Sequence, residues 1–423
     1  MKNRSRKRKN LIQKKMNSKD RTIQNRLFDI AWIIFLITQM ITLTAEYAIS
    51  DSGFKVIAYK GAVAICCALC VAVIIINLIR KEYKLKTFIC YAVFGVVCLL
   101  SWYFSRDNLL LQSFLLFGAA YEISGRRIIS ISAFITGASL FITVISSRLG
   151  LSIDYIFDAE TRARHGLGYS WATNAPTLLL FFALQYIFLR KNRMRVWEYI
   201  ILELANVYLF IETDTNQPFL IMTVFLICFF IEGLFRNNWR VIGRLNILWY
   251  ILPIAICLIT IAIYAAFDPQ IGFWDKLNVA LNHRLGLGRN GIDSFGITAF
   301  GQQIVWNGNS ISGAAGDYNY VDCSYMQILL NYGVLFLAAS AAVYTRLVYR
   351  AARFKDYWLV MIAVVVLLHS FTEPRMMNLT LNIIPVLAFA RLGEERVEYR
   401  RGFLKMIMAG TAESDKKAKE VNL

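Results

Sequence analysis

Charged residues are scarce in this sequence, and acidic residues are the scarcest. Only 17% of the 423 residues are charged, with 28 acidic against 46 basic residues, whereas soluble domains carry about 25% charged residues. There are only three histidines, and no P-loop, GxSxG or HExxH pattern occurs. These absences argue against a soluble globular protein, against energy coupling through nucleotide, and against the common serine-hydrolase and zinc-protease sites.

Hydrophobic residues make up 57% of the chain, and they fall into blocks separated by short charged segments. A helix needs about 20 apolar residues to cross the bilayer core, and backbone groups in lipid must be hydrogen-bonded internally. Because the blocks lack the alternation of barrel strands, we predict an all-α, polytopic integral membrane protein with about 12 transmembrane helices. The predicted spans are Phe28–Ile49, Val56–Ile79, Thr87–Phe104, Asn108–Tyr121, Ile128–Ser147, Ala175–Leu189, Trp197–Ile211, Pro218–Phe235, Ile247–Phe267, Cys323–Tyr344, Tyr357–Ser370 and Asn378–Leu392.

The basic residues predict the orientation of these helices. If the N-terminus is cytoplasmic, 36 of the 46 Lys and Arg fall in cytoplasmic segments, as the positive-inside rule requires. Residues 1–27 are then a basic, disordered cytoplasmic arm, residues 28–392 the transmembrane domain, and residues 393–423 a cytoplasmic tail. The net charge of +18 therefore reports topology in the cell membrane, with both termini inside, and no nucleic-acid partner is predicted.

The eight cysteines suggest packing rather than metal chemistry. Seven lie inside apolar blocks, where cysteine acts as a small hydrophobe. Cys66, Cys67 and Cys70 are close in sequence and could bind a metal, but no fourth ligand is near. Packing is the favoured interpretation, and no metal or other cofactor is predicted.

Two long extracytoplasmic loops, about 148–174 and 268–322, carry the residues that could bind a ligand. The first contains Arg162, Arg164, His165 and Trp171. It is either a solvated loop or an anion site, because Arg presents a rigid set of donors to phosphate or carboxylate.

The second loop contains a glycine-spaced basic cluster, His283, Arg284 and Arg289. Glycines between basic residues let backbone and guanidinium groups converge on a phosphate. The loop ends at Tyr320 and Asp322, where Asp322 is either a helix N-cap or a base that faces the cavity.

Other ionisable groups lie within or beside the spans, and the clearest are Glu203, His369 and Glu373, with Arg375 following. A charge at mid-membrane costs at least about 2.5 kcal/mol, so it usually faces a partner or a polar cavity. Alternatively, Glu373 and Arg375 lie at the outer interface.

Three segments resemble the Wzy-type polysaccharide polymerases and their relatives, the O-antigen ligases. LNHRLGLGRNGIDSFGITAFGQQI (281–304) is similar to the family's N-x-x-L-x-x-G-R … G outer loop. YVDCSYMQILLNYGV (320–334) is similar to its V-D-N-x-Y-x-x-L-L-x-x-G-I helix entry, and RARHGLGYSWATNAP (162–176) to its R-x-R-x-x-L-G-F-x-x-P-N segment. The order of the three segments is more specific than any one of them.

The resemblance implies a glycosyltransferase that joins oligosaccharide repeat units carried on undecaprenyl pyrophosphate, on the outer face of the cytoplasmic membrane. The transfer is inverting and independent of metal, and a flippase and a chain-length regulator are candidate partners. Arg284 and Arg289 are assigned to the leaving pyrophosphate, with Arg162 and Arg164 in support. Asp322, where related ligases carry a histidine, is the first candidate base, followed by His165 and His283. Trp171 and Tyr320 are predicted to stack on sugars.

Two departures from the family pattern affect these roles. Many relatives carry Ser-Arg where this chain has Thr215, Asn216, Gln217 and Pro218, and the usual Asn after the Asp is Cys323. The alternatives are a ligase-type transferase, which the same arginines would serve, and a lipid-linked oligosaccharide flippase or other transporter. Transport is less favoured because no internal repeat is evident. Capsule, exopolysaccharide and O-antigen all remain open as products.

Overall fold

The protein is almost entirely helical. The computed structural model describes residues 2–50, 52–80, 83, 85–157, 163–234, 246–308, 311 and 318–393. Its helices are α1 (Lys2–Thr42), α2 (Ala45–Ile49), α3 (Gly53–Ile79), α4 (Leu85–Ser105), α5 (Leu109–Ala119), α6 (Gly125–Arg148), α7 (Asn174–Arg190), α8 (Val196–Thr213), α9 (Asn216–Leu234), α10 (Asn246–Ala266), α11 (Gly272–Ala280), α12 (Arg284–Phe295), α13 (Ser324–Arg353) and α14 (Tyr357–His369). Two 3₁₀ turns, Lys191–Arg193 and Ile384–Ala388, and two short antiparallel strands, β1 (Ile156–Phe157) and β2 (Arg164–His165), complete the described part.

Seven of the described helices are long and apolar enough to cross a membrane: Thr22–Thr42 within α1, α3, α4, α6, Asn216–Gly233 within α9, Ile247–Ala266 within α10, and α13. In the most hydrophobic stretch of α3, only 22% of the residues are buried. Large apolar side chains such as Ile57, Phe134 and Phe141 are exposed. A continuous apolar surface of this kind is typical of helices that face lipid. The prediction of an all-α membrane protein is thus confirmed, whereas the count of 12 spans is not.

The predicted twelfth span is wrong. Asn378–Leu392 contains no α-helix in the structure, only the 3₁₀ turn Ile384–Ala388. Asn and Pro lower helix propensity, and here Asn378, Asn382 and Pro385 interrupt the apolar run. The segment is nonetheless almost completely buried, so its non-helical backbone is enclosed by protein, as a membrane environment demands.

Side chains of α13 satisfy the carbonyl groups of this irregular segment. Arg346 Nε and Arg350 Nη1 donate to the Ala388 carbonyl at 2.9 and 2.7 Å, and the Tyr344 hydroxyl donates to the Met376 carbonyl at 2.7 Å. The segment ends beside α6, where Arg391 N donates to the Ile123 carbonyl at 2.7 Å. Buried carbonyls that would otherwise cost free energy are thereby paired.

Two other expectations need correction. Residues 2–21, predicted to be a disordered arm, continue α1 as helix from Lys2, because Lys, Arg and Gln are good helix formers. The second long loop contains α11 and α12, and α12 packs on α10 and α13. The N-cap of α13 is Cys323, so Asp322 is not the cap.

α7 is the central helix, with 13 of its 17 residues buried. The turn directly after α7 meets the loop between α13 and α14, where Lys191 Nζ lies 2.8 Å from Asp356 Oδ2. We call this end of the bundle, which also holds Gly125 and Arg391, the basic end.

α13 is bent at Gly333, whose φ of 84° and ψ of 173° interrupt the helix. The backbone there meets residues that precede α13: Val334 N donates to the Thr298 carbonyl at 3.0 Å, and Leu335 N to the Ala299 carbonyl at 3.1 Å. A Cβ added at Gly333 would lie 2.4 Å from Gly301 N. The bend therefore requires glycine.

We predict that Gly333→Ala lowers the free energy of unfolding by about 2 kcal/mol or more, because a positive φ strains any side chain and Cβ meets backbone. Thermal unfolding of the purified protein in detergent measures the effect. Gly61→Ala is the matched control, since Cβ meets nothing within 4 Å there. Equal melting temperatures for the two variants would contradict the prediction.

Candidate functional site

Charged side chains from separate segments meet at the end of α14. Arg284 lies between two carboxylates: its Nε is 3.3 Å from Asp322 Oδ2 and its Nη2 is 3.7 Å from Glu373 Oε1. Arg375 Nε lies 3.9 Å from Glu373 Oε2. We call Arg164, Arg284, Asp322, Glu373 and Arg375 the charged cluster. The sequence predicts that Arg284 and Asp322 belong to one site, but it does not predict the contacts of Glu373 with Arg284 and Arg375.

Arg284 owes its position to a tight turn before α12. His283 has a left-handed φ of 60°, which turns the chain so that Arg284 begins the helix. Asn278 holds this turn, because its carbonyl accepts from His283 N at 2.7 Å and its side-chain oxygen accepts from Gly286 N at 3.0 Å. The glycines serve packing here, since a Cβ at Gly288 would lie 2.2 Å from the Tyr264 ring.

Glu373 and Arg375 lie in the turn that follows α14. Ser324, the first residue of α13, fastens this turn: its hydroxyl donates to the Glu373 carbonyl and accepts from Met376 N at 3.0 Å. Asp322 is two residues before Ser324 in the chain. The start of α13 therefore fixes both carboxylates relative to each other.

Arg164 approaches the cluster from β2 and is 9% exposed. Its Nε donates to the Thr213 carbonyl at 3.0 Å, and its guanidinium lies 5.3 Å from the Trp171 ring centre. The charge of Arg164 acts on Glu373. Neighbouring residues of a strand point to opposite faces, so His165 lies elsewhere and pairs with Asp154 at 2.7 Å.

Neutral side chains complete the surroundings of the cluster. Gln217 Oε1 accepts from Arg284 Nη1 at 2.9 Å, so the segment that departs from the family pattern lies against the same arginine. Tyr318 and Tyr320 lie near Asp322 and Glu373. Tyr318 is exposed, whereas desolvation raises the pKa of the more buried Tyr320 phenol.

Several buried polar atoms around the cluster make no hydrogen bond within the described part of the chain: Gln217 Nε2, Arg375 Nε, and both ring nitrogens of His369. His369 is 1% exposed, and its ring is 5.6 Å from that of Phe181. Buried polar groups in native proteins are nearly always paired. These atoms are therefore suited to a polar ligand.

The cluster lies below the membrane surface if α14 starts at the basic interface. α14 has 13 residues, which span about 20 Å, against a hydrocarbon core of about 30 Å. In that setting charges interact strongly because the local dielectric constant is low.

Burial also changes the acidity of the carboxyls. Desolvation raises the pKa of Glu373 to about 7, with a contribution from Asp322, while Arg375, Arg284 and Arg164 act in the opposite direction. Desolvation likewise raises the pKa of Asp322, against the opposing effect of Arg284 and Arg375. Glu373 can therefore hold or accept a proton near neutral pH, as a general base requires.

The remaining sequence-predicted residues lie apart from the cluster. Arg289 is five residues from Arg284, about 140° around the helix, and contacts Asp293 at 3.1 Å and the Ala265 carbonyl at 2.6 Å. His283 is exposed, and Arg162 lies outside the described residues. Glu373, Arg375 and His369 received no site role from the sequence, although their unfavourable place near a span was a signal. Within the described residues, no group of three or more His, Cys, Asp or Glu could hold a metal ion.

We predict that the protein becomes less stable as pH rises from about 4.5 to about 7. The unfolded chain ionises Glu373 near its ordinary pKa, whereas the folded state does so only near 7, so folding favours the protonated form in this interval. Glu373→Gln should flatten much of this dependence, leaving the part due to Asp322. Thermal unfolding in detergent at pH 5 and 8 provides the test, and an unchanged pH dependence in the variant would reject the assignment.

Comparison with known proteins provides no family assignment. No family model, no curated protein and no solved structure matches this chain. The function proposed below is therefore supported by the residues of the chain, their geometry and the resemblance of its three motif segments.

Proposed function

We propose that the protein is a polymerase that joins undecaprenyl-pyrophosphate-linked oligosaccharide repeat units into a surface polysaccharide, on the outer face of the cytoplasmic membrane. The observation that carries the proposal is the charged cluster, in which the half-buried Arg284 and Arg375 lie beside two carboxyls of raised pKa. Glycosyl transfer from a lipid diphosphate needs both groups, cations for the leaving diphosphate and a base for the attacking hydroxyl.

Three arginines of the cluster would bind the diphosphate. Arg284 and Arg375 approach the carboxylates at 3.3 to 3.9 Å, which are loose contacts for charge-assisted hydrogen bonds. A diphosphate with more negative charge can displace them, and Arg375 Nε has a hydrogen bond to give. Arg164, already over the Trp171 ring, would contact the far side of the diphosphate or the adjoining sugar.

The carboxyls would act on the acceptor. The acceptor hydroxyl attacks the anomeric carbon of the donor sugar, the bond from that carbon to the diphosphate oxygen breaks, and inversion results. The hydroxyl proton passes to Asp322 or Glu373, and undecaprenyl pyrophosphate leaves with the bonding electron pair. When the diphosphate has engaged Arg284, the carboxyls lose a cationic partner and become stronger bases.

Aromatic rings beside the cluster suit the sugars. Trp171, Tyr318 and Tyr320 flank the arginines and carboxyls, and flat apolar ring faces pack against sugar rings. The exposed apolar surface of the long helices would accept the polyprenyl tail. A flippase and a chain-length regulator are the partners that such a reaction would involve.

We predict that Arg284→Ala stops chain elongation and leaves single-repeat glycans in cells, because the leaving diphosphate loses its central cation, with a rate loss of about 100-fold or more. Gel analysis of glycans at matched membrane levels of protein measures this. Arg289→Ala is the matched control on the same helix: its side chain is bound to Asp293 and the Ala265 carbonyl, so we expect long chains. Long chains in the Arg284→Ala variant would refute the role.

We predict that purified protein, incubated with lipid-linked repeat units alone, yields a product ladder whose rate of formation increases with pH up to about 7, as a buried carboxyl loses its proton. Glu373→Gln should abolish the ladder if Glu373 is the base, and Asp322→Asn should abolish it if Asp322 is the base. A full ladder in both variants would exclude a carboxylate base. No ladder in the wild type, with transfer to a different acceptor, would indicate the ligase-type reaction.

A further inference from the structure

The strand that carries Arg164 to the charged cluster is fastened by a half-buried carboxylate, Asp154. One carboxylate oxygen, Oδ2, lies 2.7 Å from His165 Nδ1. The other, Oδ1, accepts a hydrogen bond from Leu167 N at 2.8 Å. Asp154 therefore binds the side chain of the residue directly after Arg164, and it also binds the backbone two residues further on.

The strand itself has little other support, because a two-stranded hairpin is only marginally stable. β1 and β2 pair over two residues each, and a backbone bond from Gly166 N to the Tyr155 carbonyl at 2.8 Å continues the pairing. The chain then turns at Leu167, whose φ of 53° is left-handed and costs free energy for a residue with a Cβ. By binding the Leu167 amide, Asp154 stabilises this turn.

The side chains on both faces of β2 lead to the end of α8. Arg164 Nε donates to the Thr213 carbonyl at 3.0 Å. On the other face, Asp154 Oδ2 also lies 3.9 Å from Arg148 Nη1, and Arg148 Nη2 pairs with Glu212, the residue before Thr213. The contacts thus form a closed ring in which α6, α8 and the first long loop hold one another.

The position of β2 matters to the charged cluster through Arg164. The charges that act on Glu373 are those of Asp322, Arg375, Arg284 and Arg164. Because Arg164 is 9% exposed, water and salt screen its charge only weakly. A displacement of β2 therefore changes the strength with which Arg164 stabilises the ionised form of Glu373.

We propose that Asp154 is a positioning residue of the site: its contacts with His165 and the Leu167 amide fix β2, and β2 holds Arg164 in the charged cluster. The catalytic meaning of this position rests on the proposed function, in which Arg164 contacts the diphosphate or the adjoining sugar. The positioning itself does not, because its effect can be measured on the ionisation of Glu373 without any substrate.

The test uses the full chain in detergent and follows the infrared absorption of the protonated Glu373 carboxyl, which Glu373→Gln identifies. The wild-type midpoint is expected near pH 7. We expect Asp154→Ala to raise it to about pH 7.5 or higher, because an arginine that has moved away lowers the pKa of the carboxyl less. Loss of the Asp154 charge alone would lower this pKa, so the two explanations differ in sign.

Asp154→Asn is the matched control, because it removes the same charge and retains the contacts. Asparagine Oδ1 can still accept from Leu167 N, and its Nδ2 can donate to His165 Nδ1, so we expect a midpoint no higher than that of the wild type. His165→Ala removes one of the two contacts and should raise the midpoint by less than Asp154→Ala. It keeps the test decisive if Asp154→Ala does not fold, which melting curves show.

A double-mutant cycle tests the route through Arg164. Arg164→Gln should raise the midpoint by itself, and adding Asp154→Ala should raise it no further. The proposal is overturned if Asp154→Ala and His165→Ala leave the midpoint unchanged or lower it, if Asp154→Asn raises it as much as Asp154→Ala, or if Asp154→Ala has its full effect in the Arg164→Gln background. Wild-type protein that forms no product ladder would reject the polymerase and leave the positioning result standing.

Discussion

The placement of the half-buried Arg284 between two carboxyls is the interaction on which the candidate site depends. A guanidinium away from water is stable only if it is paired, and Asp322 and Glu373 supply the partners at 3.3 and 3.7 Å. Removing either partner would leave an unbalanced buried charge, so α12, the start of α13 and the turn after α14 are held together by electrostatics as well as by packing. The same contacts are loose enough to be exchanged for those of an anionic ligand.

Enclosure of polar backbone is the second constraint on the fold. Residues 378–392 pass through the interior without an α-helix, which only a surrounding of protein permits in a membrane. Arg346 and Arg350 of α13 donate to the Ala388 carbonyl. Two arginines that the positive-inside rule counts as topology signals thus also take part in the packing of the basic end.

The sequence predicted the helices well where hydrophobicity alone decides, as in α3, α6 and α10, because lipid imposes the apolar run directly. The prediction of a transmembrane helix failed for residues 378–392, because their apolar side chains are enclosed by protein and do not form a lipid-facing helix. Asp322 and Arg284 could be predicted from motif and residue type. Glu373 and Arg375 could not be joined to them, because that contact depends on Ser324 fastening a turn 49 residues away in the chain. The glycines between Arg284 and Arg289 suggested a loop in which both side chains converge. The segment is instead the helix α12, which places the two arginines on different faces.

The shortness of α14 has a consequence for the choice of membrane. If α14 starts at the interface of the basic end, its last residue lies about 10 Å short of the opposite hydrocarbon boundary. Under the proposed function, a lipid diphosphate then has to descend from headgroup level to reach Arg284. A thinner bilayer shortens that descent and a thicker one lengthens it, at a cost of a fraction of a kcal/mol for each Å. Under the same proposal, the acyl-chain length of the surrounding lipids affects the rate of glycosyl transfer without any contact with the reacting sugars.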